Sequence, residues 1–595
     1  MRERKYILAQ YDISGIQDYI FATNRLRENV GASYNVNRIL NLFLPDAINE
    51  AVKTEGGFAL INWNTEKSEV QFESNQEILA EVLYIGGGNA VVIYRNRRLY
   101  DKSSHIFAIK VAENCHGITV LSAFVETKLE DYCKEIEELE MELSNLKRMV
   151  PRNVPMSSWP IVEQDSVYGL PITKLYDKDN MDRVMSVIQY EKYEASRLKG
   201  MERENPYVFA LQMEQLIDKR GEDSHVAVVH IDGNGMGELF DRIKREHRDY
   251  RSAIPAMRLL SKTIANVYED SFYRMVSAIE TISGKNPLPI RCLIMDGDDL
   301  TFICGARFAL PAVVFFMRQL MELADSTLSV TACAGIAFVR SHFPFRIAYQ
   351  IAEECCDNAK KNWYKDRCHN GKAGYLDYHI VQGAYTQEME KQRDRKSIRV
   401  RPFRVAEETD ISRFESIDFL NSIQKLLVQE KDGVRVWPRN RLEKLYKAYL
   451  RGQQEIRLLG EEFLSRGYDL SKLVPGYDKD FDYDTSYGIF DALETVSYTH
   501  LDVYKRQVLE SPAGTSAIKY IRILKDGFMS MDMAQNILVI KTVSGMAMAV
   551  AAALDAIHFT EIVGCIAGDD TIMCAIRSVD DTIIVMEKIK KMVQD

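Results

Sequence analysis

The sequence predicts an α+β protein that uses one folding module twice. Two observations carry this. Apolar strand-like runs end on an acid at Asp12 and at Asp232, and each is followed by helix, hairpin, helix and strand in the same order. The spacing from the acid to the hairpin glycine is also similar: about 74 residues in the first copy (12 to 86) and 65 in the second (232 to 297). A repeated plan of this size reads as two copies of one supersecondary unit.

In the first copy, 5–12 (KYILAQYD) is the opening strand and a helical stretch begins near Ile16. Strands at 80–85 and 89–94 are separated only by Gly86-Gly87-Gly88, a hairpin signal. A helix near 99–114 and a strand at 118–124 follow. Leu129, Tyr132, Ile136, Leu139, Leu143 and Leu146 then recur at helical spacing, which predicts an amphipathic helix packed on its own domain. In the second copy the opening strand is 225–231, the helix about 252–279, and the hairpin strands 289–295 and 300–304, joined by Asp-Gly-Asp-Asp. A helix at about 308–324, a strand at 327–339 and a helix at about 346–362 complete it. The boundaries are a first module at 1–148, a Pro-punctuated connector at 149–222, a second module at 223–385 and a helical region at 386–495. Within the last, 391–404 (KQRDRKSIRVRPFR) holds seven basic residues and one acid. It reads as a solvated face or, more sharply, as a strip that contacts phosphate.

Composition narrows the class. The 595 residues are ample for several cores. Lys plus Arg (76) minus Asp plus Glu (86) leaves a net charge of −10, which argues against a diffuse nucleic-acid coat. No apolar stretch is long enough to cross a membrane, and the N-terminus lacks a signal core, so a cytoplasmic protein with no membrane partner is expected. The ten cysteines include no C-x-x-C pair, so reduced thiols are expected rather than a zinc site.

The chemistry is concentrated in the second module. Asp232 ends a strand, and Asp298 and Asp299 sit at a hairpin tip. If the strands are neighbours, three carboxylates meet at one sheet edge, the oxygen-rich setting that Mg²⁺ or Mn²⁺ prefers when it also binds phosphate. Gly233, Asn234, Gly235 and Gly297 would let backbone N–H groups approach a triphosphate, and Lys360 could add a point charge. His230 is expected to pack under the sheet. The first copy has Asp12 but its hairpin, Gly86-Gly87-Gly88-Asn89, carries no acid. It is read as structural, or as binding a nucleotide without turning it over.

Residues 1–495 resemble the large, polymerase/cyclase-like subunit of type III CRISPR effector complexes. The resemblance rests on DISGIQDYIF at 12–21, GASY at 31–34, LYIGGGNAVV at 83–92, DGNGMG at 232–237, DGDDL at 296–300 and TACAGIAFVRSHFPF running into NAKKN at 331–362. It implies two ferredoxin-like palm domains of the nucleotidyl cyclase kind. It also implies a metal-dependent nucleotidyltransferase that makes cyclic oligoadenylates from ATP in antiviral defence. Asp232, Asp298 and Asp299 would then be both catalytic and metal-holding. ATP or another NTP, RNA and CRISPR effector subunits would be the partners. Three departures stand out. Asp296 occupies a position where the family has Gly. The His-Asp nuclease domain is not seen. SVYGLPITK at 166–174 replaces the zinc-binding cysteine pairs. A side chain at Asp296 keeps a second reading open, a nucleotide- or RNA-sensing palm protein without turnover.

Residues 496–507 (VSYTHLDVYKRQ) fit neither side and resemble a translated sequencing adapter, so the chain reads as a chimera of two unrelated gene fragments. Within 508–595, the run DMAQNILVIKTVSGMAMAVAAALDAIHFTEIVGCIAGDDTIMCAIRS resembles the C-terminal α/β domain of the bacterial arginine repressor. That resemblance implies trimers that pair into hexamers, and L-arginine held by Asp555, Asp569 and Asp570.

Overall fold

The computed structural model describes residues 5–63, 70–150, 161–165, 167–176, 183–201, 206–217, 224–324, 330–366, 372–381, 399–431, 434–474, 482, 487–496, 524–525, 527–543, 546–547, 550–551, 553–554, 559, 561–568 and 570–594. The chain divides into two compact units, Met1–Leu501 and Asp502–Asp595.

The first module opens with β1 (Tyr6–Ser14), then α1 (Ile16–Ile20), α2 (Leu26–Arg38), α3 (Leu44–Lys53) and the short β2 (Phe58–Leu60). The hairpin is β3 (Ile78–Gly86) and β4 (Asn89–Tyr94), followed by α4 (Arg97–Asn114), β5 (Thr119–Thr127) and α5 (Tyr132–Met149). The strands lie in the order β2-β3-β4-β1-β5, with β1 antiparallel to both β4 and β5. Tyr132, Ile136, Leu139 and Leu143 of α5 are buried in one cluster with Leu8, Leu83 and Val91, so this helix packs on its own sheet. The following segment holds a small ladder, β6 (Ile172–Tyr176) with β7 (Arg183–Ser186), and α6 (Val187–Met201). Helix α6 crosses α2 so closely that a side chain at Gly31 would meet the Lys192 carbonyl at 1.6 Å.

The second module repeats the plan with β8 (His225–Gly233), α7 (Met236–Glu246), α8 (Tyr250–Ser283), β9 (Ile290–Asp296), β10 (Asp299–Gly305), α9 (Ala306–Leu323), β11 (Ala332–Arg340) and α10 (Phe345–Asp366). Two further strands, β12 (Ala373–Ile380) and β13 (Phe403–Ala406), extend the sheet to the order β13-β12-β11-β8-β10-β9. The four repeated strands take the same places in both sheets. The opening strand lies between the closing strand and the second hairpin strand, a ferredoxin-like arrangement. The repeat extends to backbone detail. Gly15 and Gly235 each stand three residues after the strand-ending acid, each has left-handed φ (75° and 68°), and each starts a helix. Glycine takes that conformation without steric cost.

The two modules share their interior. One apolar cluster contains Ile7, Tyr11 and Val92 from the first copy and Val226, Phe345 and Ile351 from the second. Phe21 stacks on Tyr349 (centroids 4.3 Å), and the Phe345 N–H donates to Asn24 Oδ1 at 2.8 Å. Arg258 of α8 enters the first sheet and donates to Leu83 O at 2.7 Å, Val82 O at 2.9 Å and Glu81 at 3.2 Å.

Beyond the sheets lie β14 (Glu430–Lys431), β15 (Val434–Arg435) and four helices: α11 (Ile417–Val428), α12 (Arg439–Arg451), α13 (Gln453–Ser465) and α14 (Ile489–Thr495). Here the structure corrects the reading of the basic segment in its described part; 391–398 lie outside the described residues. Arg399 pairs with Glu494 at 3.2 Å, Arg401 with Glu494 at 3.1 Å and Asp491 at 3.6 Å, and Arg404 with Asp410 at 3.7 Å. The Arg401 side chain is only 2% exposed, so it serves an internal ion cluster and neither a solvated face nor a phosphate strip.

The C-terminal unit is a four-stranded antiparallel sheet of β16 (Phe528–Ala534), β17 (Ile537–Thr542), β18 (Ile562–Ala567) and β19 (Thr571–Ile576), in the order β16-β17-β19-β18, with a final helix α15 (Val579–Gln594). Leu538, Ile540, Ile572 and Cys574 pack with Val585 and Ile589 of that helix. The join at 497–507 lies outside the described residues. Among the described residues, no helix is long and apolar enough to cross a membrane.

Candidate functional site

The site is built by register. Asp232 on β8 pairs with Asp299 on β10, and Asp299 pairs with Asp296 on β9. Directly opposed residues share a face, so Asp296, Asp299 and Asp232 stand abreast across three strands. Asp298 occupies the hairpin turn, where only Gly297 takes positive φ (62°). Its carboxyl lies over the backbone of Gly233, so that a side chain there would meet Asp298 Oδ2 at 2.8 Å. The Gly233 N–H donates to Asp298 O at 3.2 Å. Asn234 is fixed to Thr331 through its backbone N–H (2.9 Å) and its side chain (3.0 Å). Thus Asp232, Gly233, Asn234, Gly235, Gly297, Asp298 and Asp299 lie at one end of the sheet.

Lys360 reaches the same place from α10 and forms an ion pair with Asp232 Oδ2. Burial works against its charge, but the Asp232 carboxylate prevails and holds the ammonium above its usual range. The acids respond to crowding. Burial, then the neighbouring Asp232, raises Asp298 to about 6; burial, then Asp232 and Asp298, raises Asp299 to about 8. Asp299 Oδ1 is sealed from solvent and accepts no hydrogen bond, although the side chain as a whole is 36% exposed. His230 Nδ1 lies 3.4 Å from that oxygen but is bonded to Thr301 Oγ1 at 3.1 Å, and burial lowers the imidazole to about 4. The histidine is therefore neutral near pH 7 and gives Asp299 no counter-charge. It packs inside, against Tyr349, as the sequence led one to expect.

These residues fit a divalent cation. Among the described residues, no three His, Cys, Asp or Glu side chains close into a ready-made cage. Mg²⁺ needs no such cage, since it takes one or two carboxylates and completes its shell with water and phosphate. A sealed carboxylate oxygen without a donor, beside acids that repel each other's ionisation, is the local charge imbalance such an ion would relieve.

Asp296 does not turn into the cluster's hydrogen bonds. Its Oδ2 accepts from the Gly88 N–H at 3.0 Å, so the two hairpin tips are joined by a carboxylate. In the first copy, Asp12 faces Asn89 in the register that Asp232 and Asp299 use. Lys147 of α5 donates to Asp12 Oδ1 at 2.8 Å, the counterpart of the Lys360–Asp232 pair. Asn89 retains the shape of Asp299 but not its charge.

In the C-terminal unit, Asp570 is exposed. Its Oδ1 accepts from Thr571 Oγ1 at 2.6 Å and lies 3.8 Å from Lys541 Nζ, and these two contacts hold its carboxyl below the ordinary range. Asp555 and Asp569 lie outside the described residues.

Comparison with known proteins finds a match within each unit. Residues 225–369 match the family described as Cas10/Cmr2, second palm domain, and residues 524–591 match arginine repressor, C-terminal domain. The arginine repressor of Lachnoclostridium phytofermentans is 71% identical over 86 residues, 14% of this chain and 57% of that protein. That of Lachnospira eligens is 68% identical over 77 residues, 13% of this chain and 51% of that protein. That of Caldicellulosiruptor bescii is 31% identical over 135 residues, which span 23% of this chain and 82% of that protein. The C-terminal part of the chain belongs to the arginine repressor family. The chain spans about half the length of the first two relatives. Among solved structures, "Crystal structure of Csm1-Csm4 cassette in complex with one ATP" is similar with TM-score 0.46 at 12% identity, covering 84% of this chain and 70% of that one. The cassette "in complex with cA4" gives 0.45 at 12%, covering 83% and 69%.

The chain thus carries a segment similar to the Cas10/Cmr2 second palm domain, residues 225–369, ahead of an arginine repressor domain. Three features of the palm half escape a sequence reading. Lys147 looks like one basic residue at the end of an amphipathic helix, and only the fold puts it on Asp12. Thr331 precedes a strand and carries no motif, yet it fixes Asn234. The Asp296–Gly88 bond spans 208 positions; the one signal for it is that an acid stands where a glycine would serve the turn.

Proposed function

We propose that the palm half is a metal-dependent nucleotidyltransferase of the type III CRISPR large-subunit kind, joining ATP into cyclic oligoadenylates. The row Asp296–Asp299–Asp232, with Asp298 beside it, carries this reading. A divalent cation, Mg²⁺ or Mn²⁺, would supply the positive charge that favours a ribose 3′-alkoxide and the leaving pyrophosphate. Asp232 and Asp299 would hold it, with Asp298 as the third acid. The 3′-hydroxyl attacks the α-phosphate, and pyrophosphate leaves. Gly235 opens α7 without a side-chain cap, so the first N–H groups of that helix face the triphosphate. Lys360, paired with Asp232, would turn its charge to the phosphates. Asp298 and Asp299, both raised, would hold the cation in their ionised form, with their protons given up to solvent. The first copy holds the second nucleotide without turning it over.

One observation favours the sensing alternative. Asp12 of the first copy is already paired with Lys147, and the hairpin of that copy, Gly86-Gly87-Gly88-Asn89, carries no acid. The test incubates the full chain with each NTP and Mg²⁺ or Mn²⁺ and weighs the products beside the Asp298→Ala, Asp299→Ala double variant. A cyclic or oligomeric product lost in the variant supports the enzyme; saturable ATP binding with no turnover supports the sensor. RNA and CRISPR effector subunits are the proposed partners, and the cytoplasm the proposed location.

For the arginine repressor unit we propose L-arginine binding by Asp555, Asp569 and Asp570, which would accept from its ammonium and guanidinium groups; Asp570 lies at the β18–β19 tip. Met529, Val563, Ile566 and Met573 are each at least half exposed, and they supply the apolar surface for trimers and hexamers.

A further inference from the structure

The β18–β19 hairpin carries a feature that neither proposed activity uses. Cys565 on β18 and Cys574 on β19 are directly opposed in the antiparallel register, and their sulfurs stand 3.0 Å apart. Opposed residues of an antiparallel pair have Cα atoms about 4.5–5.5 Å apart, inside the range a disulfide spans. The two thiols differ in access. Cys574 is fully buried in the unit's core beside Leu538 and Ile572, whereas Cys565 is only partly covered. Between them the chain turns through Gly568 to Asp570, the tip to which arginine binding is assigned above. That tip is pinned on one side by Gly568 N–H to Thr571 O (2.8 Å) and on the other by Thr542 N–H to Asp570 O (2.8 Å).

We infer that Cys565 and Cys574 form a reversible disulfide that staples the base of this tip. The chemistry is thiol–disulfide exchange with a small external disulfide such as oxidised glutathione. The Cys565 thiolate attacks one sulfur of that disulfide, forms a mixed disulfide and expels one thiolate. The Cys574 thiolate then attacks Cys565 Sγ, forms the internal bond and expels the second. Two protein S–H bonds and one external S–S bond are exchanged for one protein S–S bond and two external S–H bonds, so the oxidant carries away both electrons and both protons. Accessibility makes Cys565 the entry point, and the 3.0 Å separation makes Cys574 the resolving thiol. The pairing itself does not depend on arginine binding; only its effect on the tip does.

The test uses the full chain. Incubate it with oxidised glutathione or with dithiothreitol, alkylate, digest with trypsin and weigh the peptide that ends at Arg577, which contains both cysteines. In the oxidised sample this peptide should carry neither alkyl group and weigh two hydrogens less than its free dithiol form, and after dithiothreitol it should carry both alkyl groups. The Cys574→Ser variant should instead accumulate one glutathione on Cys565. Hydrogen exchange at the Gly568 and Thr571 amides should slow several-fold on oxidation. Persistent glutathione on Cys565 in the unaltered chain, or full alkylation of both thiols after oxidant, would overturn the pairing. A formed disulfide with unchanged exchange and unchanged arginine affinity would keep the pairing and overturn the staple.

Discussion

Gly335 sets how closely α10 can lie on the second sheet, and its replacement by alanine is the sharpest probe of the site. A Cβ at this position of β11 would stand 1.9 Å from Ala352 O, 2.4 Å from Cys356 N and 2.9 Å from Cys355 Cβ. Two of these three are backbone atoms of α10, so no rotamer change relieves the clash. For ordinary contact at about 3.4 Å, the Ala352 carbonyl must retreat by about 1.5 Å. Helix α10 carries Lys360, the partner of Asp232, and Tyr349, which takes a hydrogen bond from Gln17 of the first module at 2.7 Å. The shift therefore strains the core and also draws the lysine from the acids. Overpacking of this kind costs about 1–3 kcal/mol, roughly 2–12 °C in Tm for a domain of this size. A displacement of about 1 Å at a reacting centre costs on the order of 100-fold in rate. All four tryptophans precede residue 497, so intrinsic fluorescence follows the palm half of the full chain. Gly237→Ala is the control, because a Cβ there meets nothing within 4 Å and a helical alanine stabilises. Wild-type melting and wild-type product yield in Gly335→Ala would refute the seating of α10 and the role given to Lys360.

Three other outcomes are expected. Asp299 has a folded pKa raised to about 8 against an ordinary 3.8, so the folded state binds the extra proton. Its contribution is complete below about pH 4 and lost as pH rises toward 8. Metal-free protein should therefore melt lower at pH 8.5 than at pH 6, Asp299→Asn should flatten that slope, and Mg²⁺ should flatten it in the unaltered chain; a slope unchanged in both cases would contradict the assignment. Asp296→Ala removes the acceptor of the buried Gly88 N–H and should cost about 1–3 kcal/mol, with faster hydrogen exchange at Gly88, while Asp296→Asn retains most of the protection. Arg258→Ala strands Glu81, which is 2% exposed, and should cost about 3–5 kcal/mol by denaturant titration; the Glu81→Gln, Arg258→Met double variant should recover part of it.

Much of the palm half can be read from local chemistry. Strand and helix periodicity, the turn glycines and the acids at strand ends are properties of a few neighbouring residues. They place the helix read over 252–279 within α8 (Tyr250–Ser283) and the strands of the DGDD hairpin within about one or two residues. The likeness of the two copies is also visible, because each repeats the same order of apolar runs.

Contacts between distant segments are another matter. Residues 399–404 look like a basic surface strip because a sequence shows their charges and not Asp491 and Glu494, some 90 positions later, which bury Arg401. Asp296 looks like an intruder in a glycine turn until the two sheets meet and its carboxylate finds the Gly88 N–H. Lys147 and Lys360 become equivalent only once two helices are laid against two sheets. Local sequence determines which elements form, since propensity and periodicity act within a few residues. Which of these charges neutralise each other depends on pairs separated by about ninety positions or more, and only the packed chain decides them, because burial makes an unpaired charge too costly to leave in place.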